Sequence, residues 1–516
     1  MRTAYGVETV RAAERELMGR LPDGALMRRA AAGLAAACAG LLGRVSGARV
    51  VLLVGSGDNG GDALFAGARL ARRGAGVTAV LLSPERAHEG GLADLRAAGG
   101  RAVAAPGAVV EGVAEPVPPL LERADLVVDG IVGIGARGGL RPVAVELADA
   151  VRAVGAPVVA VDLPSGVDAD TGEVPGVALP ADATVTFGAY KPGLLIDPAR
   201  AYAGAVRLVD IGLGPYLPAA GVAESPQHAD VAALLPRPGA ESDKYRRGVV
   251  GIAAGSADYP GAAVLTVAGA LRGGAGAVRY AGPAADAVIA RYPETLVSGG
   301  SPRRAGRVQA WVVGPGLGAG HEAERALREV LDTELPVLVD ADGLRLMDLP
   351  RVRTRIAPTL LTPHAGEAAA LLGWAREEVE GARLAAVREL AARTGATVLL
   401  KGSTTLVADP PNPSGPPYTT EPGEPDGGGE ADEGDAPGWA GTVRVNATGS
   451  GWLATAGSGD VLSGLAGSLL ASGLSARDAA AAGAHLHGLA GRFAAQPPGA
   501  SDVADGLFAA WREVGG

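Results

Sequence analysis

The run Arg49-Val50-Val51-Leu52-Leu53-Val54-Gly55-Ser56-Gly57-Asp58-Asn59-Gly60-Gly61-Asp62 decides the fold of the first half of this chain. A short, almost wholly apolar segment breaks into glycines and acids, and helical spacing follows from Leu64 to Arg73. A strand apolar on both faces is covered on both faces, which places it in a largely parallel sheet. A glycine-rich turn between strand and helix lets backbone N–H groups approach an anion at a helix start. The same turn also serves as a plain tight connection, so by itself it points to fold more firmly than to ligand.

Outward from that run, the pattern repeats. Further strands are expected at Gly76–Leu82, Asp125–Asp129, Pro157–Asp162, Ala183–Phe187 and Ala205–Asp210, with helices between most of them. Upstream, a helical segment runs from Val7 to Gly43 with a break at Pro22-Asp23-Gly24. After a Gly/Pro-rich stretch near Gly212–Pro226 a second α/β series begins, with strands at Gly248–Ala254, Ala310–Gly314, Pro336–Asp340, Thr359–Thr362 and Thr397–Lys401. The fold class expected is α/β throughout, in two different domains, residues 1–222 and 223–516.

Composition narrows the function. Of 516 residues 48% are hydrophobic but only 3% aromatic, so Ala, Val, Leu and Gly must fill the cores. The formal charge of −10 is uneven. Between Gly402 and Val443 there is no Lys or Arg, and the acids cluster from Asp409 to Asp435. Residues 409–440, nearly free of aliphatic side chains, are expected to be a disordered acidic insertion. An acidic balance without a basic stripe argues against nucleic-acid binding. The N-terminal residues lack the apolar core of a signal peptide, and no uncharged apolar run of membrane-spanning length stands out, so a cytoplasmic location and no membrane partner are expected. The single Cys38 lies in an Ala/Leu-rich helical run and reads as a small buried hydrophobe.

In doubly wound sheets ligands bind beyond the carboxyl ends of strands. The first half has polar or glycine-rich loops at three such ends: Gly55–Asp62, Asp129–Gly139 and Asp162–Asp168. Taken singly, each carboxylate is as readily a cap or turn residue. Together, the oxygens of Asn59, Asp129 and Ser165 suit a hard cation, leaving Asp162 for acid–base work. In the second half, Ala454-Thr-Ala-Gly457-Ser-Gly-Asp460 precedes an apolar helix, and its glycines suit a phosphoryl group at a helix N-terminus with Asp460 accepting a hydroxyl proton. Asp340-Ala-Asp342, Thr362-Pro-His364-Ala-Gly-Glu367, Gly314-Pro-Gly-Leu-Gly318 and Lys401-Gly-Ser-Thr-Thr405 end neighbouring strands.

Over residues 5–215 the motifs Gly57-Asp-Asn-Gly-Gly-Asp62, Asp129-Gly-Ile-Val-Gly-Ile-Gly135, Asp162-Leu-Pro-Ser-Gly166 and Lys191-Pro-Gly193 resemble the NAD(P)H-hydrate epimerase family. That resemblance implies a Rossmann-like sheet. It implies hydrate contacts from Asp58, Asn59, Gly60, Gly61 and Asp62, from Gly133, Ile134, Gly135, Ala136, Arg137, Gly138 and Gly139, and from Asp162, with K+ held by Asn59, Asp129 and Ser165. Asp58 departs from the family's usual Asn.

Over 240–495 the chain is similar to the ribokinase-like superfamily, and more closely to its ADP-dependent NAD(P)H-hydrate dehydratases. Lys244-Tyr-Arg-Arg-Gly248, Ala254-Gly-Ser256 and the Asp460 loop add to the motifs above. The implied architecture is an α/β/α domain. The implied hydrate contacts are Ala263, Gly316, His364 and the catalytic Asp460; Lys401, Gly402, Ser403, Thr404, Thr405 and Gly459 would hold the adenine nucleotide, with Mg2+. Ala456-Gly457 replaces a usual Gly-Gly, and Ser450-Gly-Trp452 a common Asn-Pro-Gly. The two halves together imply repair of hydrated NADH and NADPH. One half would exchange the R and S hydrates at C6; the other would dehydrate the S form with ADP, yielding NAD(P)H, AMP and phosphate. A homo-oligomer is expected. A small-molecule kinase and a non-enzymatic scaffold are the rival readings.

Overall fold

A computed structural model describes residues 1–105, 117–135, 137–411 and 441–515. Ala136 and residues 412–440, which hold most of the acidic insertion, lie outside the described residues. The chain divides into two compact units, one of Thr3–Ala223 and one of Glu224–Gly516 joined by Met1–Arg2.

The first unit carries a seven-stranded sheet in the order Arg101–Ala104, Gly76–Leu81, Arg49–Val54, Leu126–Gly130, Val158–Val161, Ala183–Phe187, Ala205–Val209. All neighbours pair in parallel, as the apolar strands require. Alternation within one strand shows both faces being used. Val50, Leu52 and Val54 enter the core formed with Leu34, Cys38 and Leu64, whereas Val51 and Leu53 enter the core formed with Leu121, Leu147 and Val151. Each such side chain contributes about 1.5–3 kcal/mol when fully buried. The strand order reverses between Arg49–Val54 and Leu126–Gly130, so the crevice for a ligand opens there.

The upstream helical segment is split as the Pro22-Asp23-Gly24 break requires, into Val7–Met18 and Ala25–Leu42. By length and mean hydropathy Ala25–Leu42 is long and apolar enough to cross a membrane, although it carries Arg28 and Arg29. Its stripe of Ala30, Ala31, Leu34, Ala35 and Cys38 instead packs into the core of this unit. Burial pushes the Cys38 thiol up to about 12, which suits an inert core residue.

The helix after the glycine-rich turn also begins earlier than expected, at Asp58 rather than near Leu64. Gly60 and Gly61 are therefore helical residues. A Cβ on Gly60 would lie 2.3 Å from the Gly55 carbonyl oxygen, and one on Gly61 3.0 Å from Met27 Cε. Close packing of the first turn against its own strand, rather than a special backbone angle, selects glycine here.

In the second unit the strands run Val443–Asn446, Thr405–Ala408, Thr397–Leu400, Thr359–Leu361, Val337–Val339, Ala310–Val313, Val249–Ala253, Ala277–Gly282, Leu296–Gly299. From Thr397–Leu400 to Leu296–Gly299 the pairing is parallel; the strands flanking the acidic segment join antiparallel. Helices Pro260–Arg272 and Ser458–Ala471 lie against each other through glycines. A Cβ on Gly464 would sit 1.9 Å from the Thr266 oxygen, and one on Gly269 2.1 Å from the Val461 oxygen. Small residues in place of aromatics let these backbones approach closely, and the contact fixes where the helix bearing Asp460 begins.

Candidate active sites

In the first unit, the expected residues gather at the carboxyl ends of the strands. Asp129 is fully buried; its Oδ1 accepts from Ser165 Oγ at 2.6 Å and its Oδ2 from Ser165 N at 2.8 Å. Burial pushes Asp129 up to about 6 even though Ser165 and Ile131 donate to it. Asn59, also buried, donates through Nδ2 to the carbonyls of Val132 and Val161. The Val132 amide donates to Ser165 Oγ. Asn59, Asp129 and Ser165 thus occupy one oxygen-rich cradle.

Asp162 sits beside it in a left-handed conformation (φ 65°), with Leu163 N bonded back to Val161 O. This three-residue reversal is strained for a central residue with a Cβ, and such strain concentrates at functional sites. The surroundings hold it in place. Asp162 Oδ1 accepts from Thr186 Oγ1 at 2.9 Å, from Phe187 N at 3.1 Å and from Lys191 Nζ, and both partners of that ion pair are buried. Lys191 also donates to Thr186 Oγ1 and to the Phe187 carbonyl.

Asp58 is exposed in the first helical turn, a favourable place for a carboxylate. Asp62, one turn later, is buried. Of the expected second ligand loop, Gly133 and Gly135 approach this region. A Cβ on Gly133 would lie 2.4 Å from Asn59 Oδ1, and one on Gly135 2.5 Å from an Arg11 nitrogen; Ile134 packs inward, while Arg137, Gly138 and Gly139 are exposed.

In the second unit, Gly457 (φ 87°) ends the loop and Ser458–Ala471 begins, so Asp460 lies in the first turn of a helix. Ala456 carries no positive φ and is exposed, so the Gly-to-Ala departure is accommodated without strain. Beneath the loop lies a chain that the sequence did not reveal. Lys401 Nζ is 2.7 Å from Asp340 Oδ1, Ser463 Oγ donates to Asp340 Oδ2 at 2.6 Å, and Glu367 Oε2 stands 3.9 Å from Lys401. A Cβ on Gly459 would lie 3.4 Å from Lys401 Nζ. Desolvation, then the nearby Asp340, push Asp460 up to about 7, against the pull of Lys401. Burial opposes the charge on Lys401, but Asp340, Glu367 and Asp460 together outweigh it and hold the ammonium above its ordinary value.

The adjoining loops close around this point. Ala341 has φ 49°, the other described non-glycine residue with a positive φ, and Gly314 packs so tightly that a Cβ would meet the Asp340 oxygen at 1.9 Å. Gly318 N bonds Asp342 Oδ2 at 2.8 Å. Gly316 (φ 61°) abuts Tyr259 and Ala262, next to the buried Ala263. His364 caps helix Ala365–Leu372: its Nδ1 accepts from Gly366 N and Glu367 N, so its ring proton is on the exposed Nε2.

Of the expected nucleotide segment, Lys401 turns inward to Asp340, Thr404 is buried, Thr405 opens a strand, and Gly402 and Ser403 are exposed. The turn is held from behind by Arg383, which donates to the carbonyls of Lys401 and Thr404. Asp340 is marked in the sequence only as part of a strand-end loop, without a partner, and Ser463 is passed over. Ser463 stands three positions after Asp460, on the same helical face, which is the signal that would have found it.

In the second unit a carboxylate of raised affinity for protons thus lies in the first turn of a helix, with a lysine close by, at the carboxyl ends of the parallel strands of an α/β domain. The first unit, a parallel doubly wound sheet, adds a second candidate cluster around Asp162. Residues 23–193 match the family model described as YjeF-related protein N-terminus, and residues 250–432 and 436–511 match that described as NAD(P)H-hydrate dehydratase. The chain belongs to the bifunctional NAD(P)H-hydrate repair enzymes. It is 48% identical over 511 residues to the enzyme called bifunctional NAD(P)H-hydrate repair enzyme Nnr from Mycobacterium leprae, spanning 98% of this chain and 96% of that one. The Mycobacterium tuberculosis protein of the same name is 49% identical over 488 residues, spanning 93% and 92%. Among solved structures, an ADP/ATP-dependent NAD(P)H-hydrate dehydratase from Bacillus subtilis co-crystallised with ATP and Mg2+ is 27% identical. It covers 56% of this chain and 97% of its own, with a TM-score of 0.46.

Proposed function

We propose that this chain returns hydrated NADH and NADPH to working cofactors, exchanging the R and S hydrates at the Asp162 site and dehydrating the S hydrate with ADP at the Asp460 site. The observation that carries the second step is Asp460 in the first turn of Ser458–Ala471 beside the Lys401–Asp340 pair. Asp460 takes the proton of the C6 hydroxyl as its oxygen attacks the β-phosphorus of ADP, and AMP departs. The C6–O bond then breaks with phosphate leaving, and loss of a C5 proton restores the ring double bond. Phosphorylation converts hydroxide, a poor leaving group, into a good one. Backbone amides of the Gly457–Asp460 turn face the charge that develops on the transferred group.

Among the described residues no cluster of three metal-binding side chains occurs. Mg2+ is therefore proposed to ride on the nucleotide's phosphates, where it would neutralise their charge. The K+ proposal rests on the Asn59 cradle. With the amide turned over, Asn59 Oδ1 would join the Val132 and Val161 carbonyls, and only a cation between them makes such a gathering of oxygens favourable. Asp129 and Ser165 would complete the shell. Potassium chloride is expected to raise the unfolding temperature of the first unit above that in an equal concentration of tetramethylammonium chloride. Asn59→Ala should abolish the difference; an equal effect in the variant would refute the cradle.

Because Asp460 must be a carboxylate to act as a base, dehydration is expected to rise with pH through about 7 and then level off. Asp340→Asn removes a charge that raises Asp460, and should move that limb to lower pH. A pH–rate profile of the S hydrate checks both, and a flat profile would count against Asp460 as the base. A cytoplasmic homo-oligomer is proposed as the working form, to be checked by light scattering and fractionation.

A further inference from the structure

Asp62, expected above only as a contact to the hydrate, has no part yet in the chemistry of the first unit. It lies in helix Asp58–Arg72 one turn beyond Asp58, is only 6% exposed, and its Oδ1 is buried with no hydrogen-bond partner. Three other carboxylates face it, Asp162, Asp58 and Glu14, the last from helix Val7–Met18. Glu14 in turn feels Lys191 and Arg11, so the group is a mixed set of charges rather than a solvated acidic surface. A buried carboxyl with an idle oxygen is costly to keep, and a nearby ion-paired carboxylate makes the cost greater. Among the described residues no hydrogen bond to Oδ1 offsets it, and the neighbouring Ala63 and Leu64 already belong to the core.

Resting on the epimerase reading of this unit, we infer that Asp62 is the acid partner of Asp162 in epimer exchange, delivering a proton to the hydrate while Asp162 removes one. Inversion at C6 requires a bond to that carbon to break and re-form. In the hydrate, C6 bears both a hydroxyl and the ring nitrogen N1. Asp162 takes the hydroxyl proton, the O–H electrons become the carbonyl bond, and the C6–N1 electron pair goes to N1, which the Asp62 carboxyl protonates. The open aldehyde turns about its bond to C5 and presents its other face. The steps then run backwards: Asp62 recovers the N1 proton, N1 attacks the carbonyl carbon, and Asp162 returns its proton to oxygen. No atom is gained or lost, and both residues end as they began.

Such exchange needs one carboxyl to give a proton and another to take one, and the two carboxyls have different surroundings. Lys191, Thr186 and the Phe187 amide all donate to Asp162, whereas Asp62 Oδ1 receives nothing. Burial, then repulsion from Asp162, Asp58 and Glu14, push Asp62 well above the usual carboxylate range. Two carboxyls set apart in this way are the pattern of an acid–base pair.

The test uses the full chain with the separated R hydrate, following conversion to S by chromatography without ADP. Asp62→Asn keeps size and hydrogen-bonding capacity but has no proton to give, and is expected to lower kcat by about 10²-fold or more with KM little changed. Its unfolding temperature should equal or exceed that of the parent, because a buried acid has been replaced by a neutral group. The parent's exchange should fall at alkaline pH, and this limb should vanish from the residual activity of the variant. The C6 oxygen should be retained when the reaction is run in 18O-water. Parental kcat in Asp62→Asn, or solvent oxygen incorporated at the rate of exchange, would overturn the inference. Absence of exchange in the parent would instead overturn the epimerase reading itself.

Discussion

Asp460→Asn is expected to abolish recovery of NAD(P)H from the S hydrate while leaving exchange of the two epimers at its parental rate. Asparagine fills the same space at the helix N-terminus, so the Gly457 turn and the Lys401–Asp340–Ser463 chain remain. What is lost is the proton acceptor. General-base catalysis is worth about 10²–10⁴-fold, and without it the hydroxyl is a poor nucleophile toward the phosphoryl group. Stopped assays of AMP and reduced cofactor, with chromatography of the hydrates in the same tubes, give both readouts. Undiminished dehydration would remove Asp460 from the mechanism. Loss of both activities would point to a folding defect instead.

Lys191→Met should have the largest effect on the first unit. Lys191 is 1% exposed and its ammonium donates to Asp162, Thr186 and the Phe187 carbonyl. Removing one member of a buried ion pair leaves the other uncompensated, at a cost of about 3–5 kcal/mol. Asp162 then loses the cation that holds it in position, and epimer exchange is expected to go with it. Urea unfolding monitored on the full chain should show an early transition for this unit, with dehydration of the S hydrate kept. The double variant Lys191→Met, Asp162→Asn should recover most of the stability and none of the exchange. If the single variant were as stable as the parent, the ion pair would not be what holds the strained Asp162 in position.

The parts of this architecture that could be seen in advance are those written in local pattern. Arg49–Val54 ends in glycines and is apolar on alternate residues facing two different cores, so both its parallel pairing and its two-sided burial follow from the run itself. Boundaries were less legible. Asp58 to Asp62 looked like a loop because of Gly60 and Gly61, yet Gly60 answers to the close approach of the Gly55 carbonyl and Gly61 to Met27 and His88, which no local window contains. Likewise the antiparallel strands Thr405–Ala408 and Val443–Asn446 are short and separated by the acidic segment, so neither advertises its partner. At the sites, the motifs marked Asp162 and Asp460, but the groups that tune them come from distant positions. Lys401 meets Asp340 across 61 residues, and Ser463 meets it across 123. The unusual backbone at Asp162 and Ala341 is also a product of tertiary packing, since nothing in either residue type demands a positive φ.

The central claim is that one chain couples the exchange of hydrates to an ADP-driven dehydration, and a single reaction reads it directly. The purified protein is given an equal mixture of R and S hydrates with ADP and Mg2+, and reduced-nicotinamide absorbance is followed together with AMP and phosphate. The account predicts that both hydrates are consumed, with one AMP and one phosphate formed for each NAD(P)H. Without ADP the absorbance should stay flat while the epimers still interconvert. A stable phosphorylated product with no return of absorbance would contradict it.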